Sequence, residues 1–426
     1  MVAAAALAAA FAGAALLVDP AADASFDAPK RAAALLFVAV AAAAAFLWPS
    51  RRFGTSLRSL WRGAPRSSRI VLALAAAALA GAVVSALASP RRAVSIDALR
   101  GLLVFSLLLP LGASRVAARY GRPLLLLFFG LCAVNLTVSL LQGWGIYRPL
   151  PIEVTGARGA TGAFAGNVGY LALALALAGV AAMALALASR RPATRALATV
   201  GLALCVADLV VNQNLTSLTA LASGAIALLL ARRERSALLP IVAVAALAAA
   251  SFALYRPART RVVDAVAAAR RGDWDALLTY RLGPWSAAAE MARERPVTGY
   301  GPGTFSAEFV RHRLKAEIRS RRRYVNPLVT SSYSEAHSEP LQAAAEGGLA
   351  GVAAIGAFVA LLAALARAVR RGGPASAEAA LLLSMLVAGG VGALTWFPLQ
   401  RPISAIPLLL AAGRGWRVSA ESGATP

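Results

Sequence analysis

Four short stretches hold the residues whose types and spacing could do chemistry. The first runs Gly156-Ala157-Arg158-Gly159-Ala160-Thr161-Gly162-Ala163-Phe164-Ala165-Gly166-Asn167. Its glycines let backbone amides approach an anion, and Arg158 offers a guanidinium fork suited to phosphate. A tight glycine-rich turn with an interfacial arginine snorkelling to headgroups accounts for the same residues, so both readings stay open. The second stretch is Arg281-Leu282-Gly283-Pro284-Trp285, and the third is Pro296-Val297-Thr298-Gly299-Tyr300-Gly301-Pro302-Gly303-Thr304-Phe305. Between them, Ser286 to Arg293 reads as a short amphipathic helix with Glu290, Arg293 and Glu294 on its polar side. The glycines at 299, 301 and 303 are spaced G-x-G-x-G and lack the strand context of a nucleotide fingerprint, so that reading is rejected. The fourth stretch, Ser334-Glu335-Ala336-His337-Ser338-Glu339-Pro340-Leu341-Gln342, contains a helix start at Ser338-Glu339-Pro340. His337 then sits just outside the helix, where the positive helix end favours the neutral imidazole that a general base needs.

Other residues narrow the chemistry. His312 and His337 are the two histidines of the chain, too few for a His-rich metal site. Cys132 and Cys205 both fall inside apolar runs, which excludes a disulfide or cysteine metal site in the loops. Arg311-His312-Arg313 and Arg319 to Arg323 read as a solvated, lipid-facing surface that could hold anionic headgroups or a diphosphate. Asp208 and Glu346 read as intramembrane carboxylates, Glu346 as a packing or loop-orienting residue.

These residues must be held by membrane helices. Of 426 residues 59% are hydrophobic and 15% charged, with mean hydropathy +0.68. A bilayer needs about 20 apolar residues per helix, and twelve such spans are predicted: 2–18, 32–48, 70–87, 102–114, 123–142, 164–188, 196–211, 215–231, 238–255, 341–365, 379–396 and 403–413. The expected fold is an all-α polytopic membrane protein with one large, partly helical periplasmic loop. Four regions are expected: 1–157, N-terminal spans; 158–255, central spans with the Arg158 motif; 256–340, the loop; 341–426, C-terminal spans and a short tail. The segment Ala3 to Val18 has no Lys or Arg before it and makes a poor signal peptide.

Alternate short loops carry 20 and 8 Lys or Arg residues. The positive-inside rule makes the richer set cytoplasmic, with both termini cytoplasmic in a bacterial inner membrane and all four stretches on the outer side. The net charge of +24 is spread through these turns as orientation signals, which sets nucleic acid aside as a partner. Segment 256–340 holds 15 basic and nine acidic residues. Long loops escape the charge rule, so its excess points to an anionic ligand or lipid headgroups.

The order of these motifs resembles the O-antigen ligase and polymerase family of bacterial envelope glycosyltransferases. That family's Arg-x-x-Gly-x-Phe-x-x-x-Asn element is met, with substitutions, by Arg158 to Asn167. Its Arg-x-x-x-Trp element is met by Arg281 and Trp285, and its Pro-x-x-Gly-x-Gly-x-Gly-x-Phe run by Pro296 to Phe305. Its most specific element, His-x-x-x-Leu-Gln-x-x-x-Glu-x-Gly-Leu-x-Gly, is met by His337 to Gly351. Two positions depart: Ser338 stands where the family has Asn, and Leu218 where it has an arginine associated with the donor diphosphate.

The resemblance implies transfer of a glycan from a polyprenyl-diphosphate donor in the bilayer to a hydroxyl of a lipid A-core or growing glycan chain. It implies His337, Arg281 and Glu335 as catalytic residues. Arg158, Asn167, Arg281, Arg293 and Asn214 are implied as substrate contacts. The chemistry is expected to need no metal or other cofactor and to invert the anomeric centre. Envelope-glycan assembly proteins are expected partners. Ligase and polymerase differ only in the acceptor. The rival class is a polytopic transporter or lipid-linked oligosaccharide flippase, which would place paired charges at the bilayer midplane.

Overall fold

A computed structural model of the chain describes residues 1–22, 24–47, 64–143, 162–232, 255–324 and 333–422, with single helical positions at 249 and 253. Among the described residues every regular element is helical. The first group is α1 (Val2–Leu16), α2 (Asp27–Phe46), α3 (Arg66–Leu87), α4 (Arg92–Ser106), α5 (Leu108–Ala113) and α6 (Arg115–Gly143). The centre holds α7 (Val168–Ala188), α8 (Pro192–Val211) and α9 (Leu215–Arg232). Then come α10 (Arg256–Arg270), α11 (Trp274–Leu277), α12 (Leu282–Glu294) and α13 (Phe305–Ser320). The chain closes with α14 (Glu339–Gly347), α15 (Leu349–Arg371), α16 (Ser376–Thr395) and α17 (Pro402–Glu421).

Nine helices among the described residues are long and apolar enough to cross a bilayer, with α4 and α5 forming one of them as Arg92–Ala113. α1 is a shorter apolar helix. Apart from positions 249, 253 and 255, the expected span 238–255 lies outside the described residues. Three expected boundaries are corrected. The span expected at 164 starts at Val168, because Ala163–Ala165 is a 3-10 turn, Gly166 adopts φ +75° and Asn167 caps the helix. The span expected at 341–365 is two helices, α14 and α15, broken at Gly348 with φ +55°. A Cβ there would meet the Val297 carbonyl oxygen at 2.5 Å, so the break is where the 296–305 turn docks. The short span expected at 403–413 is a 20-residue helix, α17, that continues through Pro407.

α7, built largely of Leu and Ala, is the most enclosed span and packs against α6, α8, α9, α16 and α17. Lipid tails give helices no hydrophobic reason to associate, so close approach of small residues supplies the contact. Gly112 and Gly413 let α5 and α17 cross backbone to backbone; a Cβ on Gly413 would lie 2.0 Å from the Leu109 carbonyl.

The segment 256–340 builds a second, smaller core from Ala287, Ala288, Met291, Tyr300, Phe305, Phe309 and Ala336, closed by Ala345 of α14. His312 is fully buried, its Nδ1 2.8 Å from the Glu308 carbonyl and its Nε2 2.9 Å from the Tyr300 hydroxyl. The solvated face expected at Arg311-His312-Arg313 is corrected at the histidine, which points inward; Arg311 stays exposed, beside Glu294 and Glu308. Glu290 is also buried, held between Arg293 and Arg319.

Candidate functional site

His337 stands in left-handed backbone (φ +52°), which L side chains adopt rarely and at a cost. Two contacts hold it there. Gln342 Oε1 accepts the Ala336 amide at 3.0 Å, and the Trp285 indole N–H donates to the His337 carbonyl at 3.2 Å. The ring is walled by aromatic groups: Tyr333 edge-on at 5.5 Å, Phe397 at 5.2 Å and Trp396 at 5.1 Å between centroids. Trp396 stacks on Phe397 at 4.6 Å. Gly169 makes room for the indole, since a Cβ there would lie 2.3 Å from Trp396 Cζ2.

Two guanidinium groups flank this box. Arg281, at the N-cap of α12, lies 5.5 Å from the Trp396 ring centroid. It follows two consecutive residues at positive φ, Thr279 and Tyr280. Tyr333 ties that turn in place by donating its hydroxyl to the Tyr280 carbonyl at 3.2 Å. Arg401, at the N-cap of α17, lies 4.1 Å over Tyr170 and 5.1 Å over Phe397. Its two terminal nitrogens bind Asp27 and Glu335, each at 2.6 Å. Burial, then the charges of Arg281 and Arg401, lower the His337 imidazole to about 3, so the ring is neutral near pH 7. Three buried polar atoms in this box have no hydrogen-bond partner among the described residues: His337 Nδ1, Trp396 Nε1 and Arg401 Nε.

One face of α14 organises these parts, with Glu339, Gln342 and Glu346 at i, i+3 and i+7. Glu339 accepts the backbone amides of Leu399 and Gln400, anchoring the Pro398–Gln400 turn between Trp396 and Arg401. Desolvation pushes its carboxyl up to about 8 despite those two amides. Gln342 takes the Gln400 side-chain amide at 3.1 Å as well as the Ala336 amide, and donates to Glu346 at 3.2 Å. Glu346 in turn accepts the amides of Gly303 at 2.9 Å and Phe305 at 3.0 Å. It lies in α14, one turn ahead of the long apolar helix α15.

The same junction explains the glycine run. Gly301 donates its amide to the Glu346 carbonyl at 2.8 Å, and Tyr300 to the Ala345 carbonyl at 3.1 Å. Ser89, at the end of α3, donates to the Tyr300 carbonyl at 2.6 Å. Gly299 adopts φ +66°, and a Cβ there would strike the Glu346 carbonyl at 2.2 Å. These glycines fasten the loop to the bundle.

Of the sequence-derived site residues, the structure brings Arg281 and His337 together. Glu335 lies nearby, but its carboxylate binds Arg401 and the Ser334 hydroxyl. Asn167 and Asn214 serve as helix caps, accepting the amides of Gly169 at 2.7 Å and Ser217 at 2.9 Å. Arg293 pairs with Glu290 at 2.9 Å, in a groove with Glu294, Lys315, Ile318 and Arg319. Arg158 lies outside the described residues. Asp208 is fully buried in α8 and takes the Asn212 side-chain amide at 2.8 Å. Sequence reasoning missed Arg401, Trp396 and Tyr170, which come from three span ends meeting in space. The available signal was Gln400-Arg401-Pro402, a basic residue in the poorer loop set at a helix start. Among the described residues no group of three or more His, Cys, Asp or Glu side chains is arranged to hold a metal.

Residues 200–356 match the family described as O-antigen ligase, and the match contains Arg281, Trp285, the glycine run and His337. The chain carries an O-antigen ligase domain. No curated protein matches the chain. Residues 200–356 take in most of α8, then α9 to α14 and the start of α15; Tyr170, Trp396 and Arg401 join the box around His337 from outside that match. The domain and its apolar helices fit a multi-pass membrane protein that joins or extends glycans.

Proposed function

We propose that the chain transfers a glycan from a polyprenyl-diphosphate donor to a sugar hydroxyl, on the outer face of the bacterial inner membrane, as an O-antigen ligase or a polymerase of related envelope glycans. The observation that carries this reading is a neutral imidazole between two guanidinium groups, in an aromatic box with unpartnered buried polar atoms. Buried polar groups are nearly always paired, so such a box suits a polar, anionic ligand.

In the proposed step the acceptor oxygen attacks the anomeric carbon as the bond from that carbon to the phosphate oxygen breaks. The diphosphate leaves with the electron pair, and the acceptor proton passes to His337. Arg281 meets the charge that develops on the leaving group, with Arg158 as the expected second cation; arginine can do this work without a divalent ion. An imidazole near 3 is a weak base, but an arriving diphosphate offsets the positive field that helps to depress it. Donor binding would thus raise the basicity of His337 when a base is needed. Glu335 acts through Arg401, fixing the wall of the box. Attack opposite the leaving group inverts the anomeric centre.

Cells carrying His337→Ala should accumulate the lipid-diphosphate glycan while the protein still inserts into the membrane, and the wild-type product should carry the inverted linkage. Normal glycan assembly in that strain, or a retained anomer, contradicts the proposal.

A further inference from the structure

The helix α10 has no part in the site, and its surface is unlike that of any span. Apart from Ala268, none of its described side chains is buried. At 100° per residue, Arg256, Arg259, Val262, Val263, Val266 and Arg270 share one face, while Asp264, the one carboxylate of the helix, falls outside it. The three valines are 39%, 59% and 45% exposed. Exposed valines flanked by arginines are poorly placed in water, yet the charges forbid a place inside the bilayer. A layer with acyl chains on one side and phosphates on the other suits both.

The position of α10 agrees. It begins directly after Tyr255, which packs against the transmembrane core, and it touches α8. Its inner side is tied to the site's end of the bundle, since Arg261 Nη2 donates to Thr279 Oγ1 at 3.1 Å, two residues before Arg281. We propose that α10 lies flat in the interfacial layer of the bilayer, valines toward the acyl chains and arginines on anionic lipid headgroups. This surface is distinct from the His337 box and does not depend on glycan transfer.

The test uses full-length protein with Val263→Cys, spin-labelled and reconstituted in vesicles of phosphatidylcholine alone or with phosphatidylglycerol. The native Cys132 and Cys205 are buried. The label should be more accessible to oxygen than to an aqueous nickel chelate, and should move deeper when the anionic lipid is added. Arg259→Gln with Arg270→Gln should abolish that response. A label open to the chelate in both lipids overturns the proposal, as does one that ignores the anionic lipid. A label shielded from both reagents would mean that protein covers this face, which also overturns it.

Discussion

The indole N–H of Trp285 donates to the backbone carbonyl of His337 across 52 residues of sequence. One turn earlier on the same helix, Arg281 covers Trp396, the ring beside that histidine. The Arg-x-x-x-Trp spacing therefore sets two tasks on one helical face, with the tryptophan fixing the histidine and the arginine waiting beside it. Trp285→Phe keeps the bulk and removes one hydrogen bond, worth about 0.5–1.5 kcal/mol. Transfer by the variant should fall about 3- to 10-fold with insertion intact; an unchanged rate would separate the two motifs.

Arg281 bears on the leaving group in this account, so its loss should cost more. Arg281→Ala should slow transfer by about 100- to 1,000-fold, the range for deleting one preorganised donor to a developing anion. Arg281→Lys keeps the charge without the planar fork and should recover only part of the rate. Single-turnover rates with saturating donor make the comparison; equal rates for wild type and Arg281→Ala would exclude the role.

Arg401 is expected to act first on stability. Its side chain is 14% exposed and bridges Asp27 on α2 to Glu335 before α14. Arg401→Ala would leave two carboxylates facing a partly buried gap, at a cost of about 3 kcal/mol. Thermal unfolding in detergent should shift down by several degrees, and Arg401→Lys should restore less than half, since one ammonium cannot serve both carboxylates as a fork does. An unshifted transition would show the bridge to be ornamental.

Two groups beside the site give opposite pH dependences. Glu339 is raised to about 8 in the fold, so between its free value near 4.5 and about 8 the folded state holds a proton that the unfolded chain has lost. Stability from this group therefore declines as pH rises through that window. His337 is lowered to about 3 from 6.5, so its contribution grows as pH climbs from 3 to 6.5 and is constant above. Between pH 6.5 and 8 the Glu339 slope remains, and Glu339→Gln should flatten the melting temperature there. Nitrogen NMR of the His337 ring at pH 5 should report a neutral imidazole; titration near 6.5 would refute the buried, cation-flanked setting.

Gln342 joins the histidine turn to the Arg401 turn, and its substitution tests whether α14 positions the site. Gln342→Ala removes the acceptor shared by Ala336 and Gln400. The turnover rate should drop while the donor concentration for half-maximal rate changes little, because the box loses alignment rather than cations. A change confined to that concentration would point to a direct contact with substrate instead.

What could be read in the sequence follows from how local each signal is. Continuous apolar runs marked the membrane helices, since a span satisfies its own backbone and needs no partner to be visible. The start of α14 at Ser338-Glu339-Pro340 and the helix after Arg281 were equally local. Gly348 hid a break inside an apolar run, because the reason for it, the carbonyl of Val297, lies 51 residues away. Polar pattern placed Glu290 and His312 on a surface that tertiary packing turned into a core, Glu290 finding Arg319 of the next helix and His312 the hydroxyl of Tyr300 in the glycine turn. The aromatic box could not be read at all. Tyr170, Trp396 and Arg401 start or end different spans, and only the folding of the bundle brings those ends together.

The central claim, that Arg281 and His337 form one site for glycan transfer from a lipid diphosphate, is tested most directly with purified protein in vesicles. A defined polyprenyl-diphosphate oligosaccharide and an acceptor glycan are supplied, and the joined product is measured. Wild type should form product, while His337→Ala and Arg281→Ala, folded and inserted alike, should form almost none. Product at the wild-type rate from either variant, or none from wild type with ligase and polymerase acceptors alike, would contradict it.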